Sequence, residues 1–245
     1  MKTSVIIVVI SLVAISAVPD GHESETLTYD VVAVKRALLL ETGESERQLG
    51  VGDSARSGDA LRTKSRSSAE LAVPARAAVF HIGAKTTFRL AHDRPGVLLE
   101  IERGRLRAVF EPSSEGDDRE RLVTTPSAVL AVRGTEYGIE VEKDGDTWVM
   151  VFEGIVEIRD TGGFGDPVRV RAGESTRIRR GRATKAPSPN GLTRGDWDRG
   201  RGVSGTQTGS MGSSQQGGAG AQGRGAGGST GSSSKGSGGS QRHGG

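Results

Sequence analysis

From Thr26 to Lys185 the chain alternates short apolar runs, rich in Val, Ile and Leu, with punctuation by Gly, Asp, Pro and Ser. Runs of this length and composition read as strands. The pattern predicts strands over Val31–Leu39, Ala69–Val73, Ala78–Ile82, Thr86–Leu90, Val97–Glu102, Leu106–Phe110, Val129–Val132, Glu136–Glu142, Thr147–Phe152, Ile155–Arg159, Val168–Arg171 and Thr176–Ile178. Only the first, within VVAVKRALLLE, competes as a helix, so the fold class is all-β.

Two local patterns refine this. In EYGIEVEKDGDTWVMVFEG, Asp144 and Gly145 favour a two-residue type I′ turn. That loop would set Val141 opposite Trp148, Ile139 opposite Met150 and Tyr137 opposite Phe152, all on one face, with Glu140 and Glu142 on a partly wet face. A three-residue loop would put the aromatic residues on opposite faces, so the pattern favours the shorter one. In LLEIERGRLRAVF and VMVFEGIVEIR a glycine interrupts strand-like sequence, which marks a bulge or sharp corner. Repeated corners predict a solenoid-like or strongly bent double-sheet domain.

Composition adds flanking segments. The chain has 245 residues, 33% hydrophobic and only 4% aromatic, enough for one packed domain, here 26–185, plus unpacked chain. Residues 1–17, with Lys2, an apolar run and small Ser16 and Ala17, predict a cleaved signal peptide and export to the periplasm, cell surface or medium. The apolar stretch of about 14 residues is short against the roughly 20 that span a bilayer, and no second one exists, so no membrane span is expected in the mature chain. Residues 186–199 read as a Pro/Gly linker, and 200–245 as a disordered Gly/Ser-rich basic tail.

Chemistry is sparse. The 33 basic and 30 acidic residues leave a net charge of +3, which gives no concentrated basic face and argues against nucleic acid. The absence of cysteine excludes disulfides, thiolate metal sites and a cysteine nucleophile. His22, His81, His92 and His243 are scattered without metal-ligand spacing, with His81 expected in solvent and His92 in a turn. GGFGD at Gly162–Asp166 lacks the helix and lysine of a phosphate cradle and reads as a hairpin loop. Glu100 and Glu140 are an available acid pair, but no nucleophile, base or metal constellation accompanies them. The expectation is a non-enzymatic chain without a cofactor.

One set of ordered motifs spans most of Val51–Ile178: Gly52, Asp53, Gly58, Asp59 and Thr63; then Thr125, Pro126, Ala128, Val132, Arg133, Gly134 and Thr135; then Glu153 and Gly154; then Ala172, Gly173 and Glu174. In this set the chain resembles the FecR-type extracytoplasmic domain. It departs at Pro74, Ala75 and Arg76, where the family commonly has an Asp-Gly turn, and at Lys85, which replaces an asparagine. Members that regulate iron-siderophore uptake add a cytoplasmic anti-sigma helix, a membrane span and a signalling domain, none of which is legible here. The resemblance therefore implies the module, in a standalone exported member acting as a binding, scaffold or sensor protein of the bacterial envelope. The implied partner is an envelope protein, reached through a free strand edge that Arg169 and Arg171 either protect or mark for recognition. The alternative is an anionic cell-wall or surface polymer held by Thr176–Lys185 and the tail, and the third reading is regulation of a sigma-factor pathway. The motif residues are expected to be structural, with Gly134 bending the chain, Thr135 bonding the bent backbone and Arg133 capping the corner or pairing with a carboxylate.

Overall fold

The computed structural model describes residues 26–90, 94–112 and 120–200. The expected signal peptide, the tail beyond Gly200, and His22, His92 and His243 lie outside the described residues. The strands are β1 (Thr28–Lys35), β2 (Leu38–Thr42), β3 (Ser45–Leu49), β4 (Ser54–Arg56), β5 (Ala60–Thr63), β6 (Ser68–Val73), β7 (Ala78–Ile82), β8 (Thr87–Leu90) and β9 (Val97–Phe110). They continue with β10 (Leu122–Thr124), β11 (Ala128–Val132), β12 (Glu136–Val141), β13 (Thr147–Glu153), β14 (Ile155–Asp160), β15 (Val168–Arg171), β16 (Glu174–Ile178) and β17 (Ser188–Pro189), followed by helix α1 (Arg194–Asp198). Among the described residues no helix is long and apolar enough to cross a membrane.

The strands form one hydrogen-bonded mixed sheet, bent into two layers. In the first layer the spatial order is β4-β1-β6-β7-β9-β12-β13-β16-β17. In the second it is β3-β2-β5-β8-β9-β10-β11-β14-β15. Every pairing is antiparallel except that of β10 with β9. The chain thus winds back and forth between layers, the bent double-sheet form that the glycine pattern predicts.

The core fills the space between layers because strand alternation sends every second side chain inward. Ala69, Leu71 and Val73 of β6 and Ala78, Phe80 and Ile82 of β7 meet Leu61, Phe88, Leu99 and Ile158 of the second layer in one cluster. Phe110 joins Phe80 edge-on at 5.8 Å and stacks on Tyr137 at 6.1 Å. The Tyr29 hydroxyl donates to the Leu98 carbonyl across the layers, and burial pushes its pKa up.

The glycines at the predicted corners are layer crossings. LLEIERGRLRAVF is one strand, β9, whose first half pairs β8 and whose second half pairs β7 and β12. At its bend Gly104 has φ +106°, and a Cβ there would lie 2.5 Å from Thr86 Cα. Gly154, φ +78°, makes the crossing from β13 to β14. The run expected as a single strand, Val31–Leu39, is split at Arg36, φ +69°, so that β1 and β2 lie in different layers; it does not form the competing helix.

The hairpin register is a correction. The Glu142 amide donates to the Asp146 carbonyl at 2.9 Å and the Gly145 amide to the Glu142 carbonyl at 3.1 Å, which leaves a three-residue loop closed by Gly145 at φ +86°. Val141 then faces Thr147, Ile139 faces Val149 and Tyr137 faces Val151. Tyr137, Ile139 and Val141 enter the core with Val149 and Val151, while Trp148 and Met150 bury on the outer face. The shorter loop would collect all the large side chains on one face, but both faces of β13 are covered.

Candidate functional site: a cleft beside a docked C-terminal strap

The outer face of the first layer is covered by residues 186–199, the segment expected to be a linker. β17 pairs with β16, the Asn190 amide donates to the Gly173 carbonyl at 2.8 Å, and its side chain donates to Ser175 Oγ at 3.0 Å. Thr193 and Asp196 then cap α1 reciprocally. The helix presents Trp197, 5% exposed, to a seat that Gly138 makes by lacking a side chain; a Cβ there would lie 2.7 Å from the indole. The Arg105 guanidinium stacks over the indole at 4.3 Å and Phe152 meets it edge-on at 6.1 Å. Ion pairs of Arg194 with Glu136, and of Arg107 with Glu136 at 2.7 Å and Asp198 at 3.0 Å, fasten the strap's charged rim.

Beside this strap a cleft of about 610 Å³ opens over β1, β6, β7 and β9. Its apolar wall includes Val34, Ile82 and Trp197, and its polar groups include Glu70, His81 and Arg107. The last three follow from one cross-strand row, since Glu70 is opposite His81 and His81 opposite Arg107. His81 Nδ1 lies 2.9 Å from Glu70 Oε2, and the imidazole sits on the outer face, 30% exposed, where free solvation was expected. Its pKa is lowered, first by burial and then by the Arg107 charge, against the opposing pull of Glu70. Ser67 also lines the cleft; it is 3% exposed, and its hydroxyl makes no hydrogen bond to any described residue. Buried polar groups ordinarily find a partner, so this hydroxyl leaves hydrogen-bonding capacity unused at the cleft's edge.

The motif residues lie elsewhere and do frame work. Asp53 accepts from the Gly50 amide, Asp59 from the Arg56 amide and Glu174 from the Arg171 amide, each at 2.8 Å, closing three turns of one design in which Gly52, Gly58 and Gly173 precede the acid with positive φ. Thr63 Oγ1 donates to the Gly83 carbonyl at 2.6 Å and accepts from the Thr86 amide at 3.0 Å. Thr125 Oγ1 accepts from the Ala128 amide at 2.9 Å and from Thr147 Oγ1 at 2.9 Å, which in turn accepts from Ser127 Oγ at 2.7 Å, a buried hydroxyl chain around Pro126. Gly134, φ +59°, turns the chain from β11 to β12, and Thr135 packs its methyl where a Cβ on Gly154 would come within 2.6 Å. Two expectations differ here. Thr135 Oγ1 has no hydrogen-bond partner among the described residues, and only its carbonyl bonds the bent backbone, accepting from Phe110 at 2.9 Å. Arg133 is exposed, with no ion pair to any described residue, so the corner rests on Gly134 and the Thr135 backbone.

The other candidates separate as well. The GGFGD segment is the β14–β15 hairpin loop, and its amides at Gly162, Phe164 and Gly165 point at Asp160, whose carboxylate they hold well below the usual range. The loop's anion cradle is thus filled by its own chain. Glu100 alternates with buried Leu99 and Ile101 in the second layer and Glu140 with buried Ile139 and Val141 in the first, so the two carboxylates face outward from opposite layers and form no pair. Within Thr176–Lys185, Arg177 pairs with Glu142 at 2.7 Å and Asp146 at 3.0 Å, and Arg179 reaches Asp146 at 3.9 Å, so part of that basic run is spent internally. At the edge of the second layer Arg169 reaches Glu157 at 3.4 Å. The sequence missed the cleft because its residues are the outward members of separate strands, joined only by register.

A search of curated proteins gave no match. Among solved structures, two crystal structures of a candidate anti-sigma factor from Parabacteroides distasonis are similar, each at 16% identity with a TM-score of 0.45, covering 54% of this chain. The chain spans 59% of the length of those proteins. Residues 59–157, from the second Gly-Asp turn through the RGT corner to the strand after Gly154, match the family described as FecR protein.

Proposed function

We propose that this domain is a non-catalytic binding module of an exported protein, and that a segment of a partner protein docks in the cleft beside the strap. The observation that carries the reading is the buried, unpartnered Ser67 hydroxyl in a cleft that also offers an apolar wall and the polar row of Glu70, His81 and Arg107. Ligand sites combine these features: apolar area supplies affinity and a few fixed polar groups set orientation. The match to the FecR family supports a binding role, and the rigid two-layer frame would hold the cleft without a change in fold. Ser68, half-buried at the cleft wall, gives a test that leaves the core alone. Full-length protein and its Ser68→Trp variant would be used to capture partners from an envelope extract. Capture by the parent and its loss in the variant, with equal melting temperatures, is the expected result; equal capture by both removes the reading.

A further inference from the structure

Four layer crossings stand side by side along one margin of the domain. They are the turn from β1 to β2, the turn from β5 to β6, the turn from β7 to β8, and the bend inside β9. Lys35 is opposite Ser68, the Lys85 amide donates to the Lys64 carbonyl at 3.2 Å, and the Gly83 amide donates to the Arg105 carbonyl at 2.8 Å, which fixes the crossings as neighbours. Their tips carry Lys35, Arg36, Lys64, Arg66, Lys85 and Arg103, all exposed and none in an ion pair with a described residue. No acidic residue occurs within the four crossings, 35–37, 64–67, 83–86 and 103–105. At the strand spacing of about 4.8 Å the row extends roughly 14 Å.

A second observation is independent of charge. Each crossing turns through a left-handed residue: Gly104 at φ +106° in β9, but Arg36 at +69°, Arg66 at +59° and Lys85 at +56° in the other three. Glycine takes that conformation without strain and a side-chain-bearing residue does not. Three crossings thus hold a basic side chain where the backbone favours glycine, and strain of this kind points to a role for the side chain.

We propose that this ridge of crossings binds a linear polyanion of the polysaccharide or polyphosphate class, whose repeating carboxylates or phosphates lie along the row of cations. The ridge presents no aromatic side chain on which bases would stack, which disfavours single-stranded nucleic acid. Nor does it present an apolar anchor of the sort that dominates protein interfaces. The site is distinct from the Thr176–Lys185 run, whose Arg177 and Arg179 are occupied by Glu142 and Asp146.

The test uses full-length protein and the triple variant R36G/R66G/K85G, titrated with polygalacturonate, long-chain polyphosphate, single-stranded DNA and oligoglutamate at two salt concentrations. The parent should bind at least one of the first two polymers with an affinity that falls steeply with salt. The triple variant should lose at least tenfold in that affinity while its melting temperature stays level or rises, an outcome a purely structural role would not give. Comparison of the first two probes separates carboxylate from phosphate as the bound group. Undiminished binding in the variant places the polymer on the tail or elsewhere and overturns the proposal, as does binding of DNA or oligoglutamate at least as tight as that of both polymers. The double variant R36G/K85G, whose two positions lie outside the cleft lining, should lose polymer binding and still capture a cleft partner like the parent, so ridge and cleft can fail separately although Lys35 and Arg66 border both.

Discussion

At the scale of single residues, the motif most suggestive of a site, Val-Arg-Gly-Thr, divides its labour unequally. Gly134 lies 3.0 Å, by a Cβ placed on it, from Pro112 Cα, and Thr135 is buried, while Arg133 stands in solvent. Arg133→Ala should therefore change unfolding free energy by no more than about 0.5 kcal/mol, as other exposed substitutions do. Gly104→Ala is the opposite case, since it forces a side chain into both a left-handed backbone and the Thr86 backbone. It should cost about 3 kcal/mol or prevent folding. Urea unfolding of the two variants side by side checks both statements, and a larger loss in Arg133→Ala than in Gly104→Ala would invert the assignment.

At the scale of elements, the strap behaves as a separate part with its own small core of Trp148, Met150 and Trp197, backed by Phe152 and Leu192. Trp197→Ala should release it while the two-layer core stays closed. Hydrogen exchange is expected to show lost protection at residues 188–198 and retained protection in β6 and β7; equal loss in both would mean that the strap is integral to the core. The strap also shows what the sequence could and could not give. β7 was legible to the residue because AVFHI alternates between a packed core and an outer face. β3, with four exposed residues in a row, has no alternation to read, and the β12–β13 register was misread because Trp148 and Met150 are covered by a helix more than forty residues further along the chain. Pro187, Pro189 and Gly191 marked the strap as a linker, and only the fit of Trp197 against Gly138 shows that it docks.

At the scale of the whole molecule, the frame and the candidate surfaces draw on different residues. The family-motif positions close turns and crossings, and none of them lines the cleft. That is why the fold class could be read from sequence while the site could not: turn chemistry is local, whereas the cleft exists only after four strands are in register. The cleft also gives the molecule a pH response. Burial and Arg107 depress the folded-state pKa of His81 below its ordinary 6.5, so the unfolded chain binds that proton more readily than the folded one. This contribution to stability is complete above about 6.5 and falls as the pH drops from there through the lowered folded value. A His81→Gln variant should show a flatter decline in urea midpoint between about pH 7 and 5 than the parent, and an identical decline would assign the effect to other groups.

The central claim, that the cleft beside the strap is the docking surface, is tested most directly by site-specific photo-cross-linking in intact cells. A photoreactive residue placed at Ser68 in the cleft should yield a discrete cross-linked partner, and the same residue placed at Arg169 on the β15 edge should yield none. A partner captured only from the edge position would contradict the account and return recognition to the free strand.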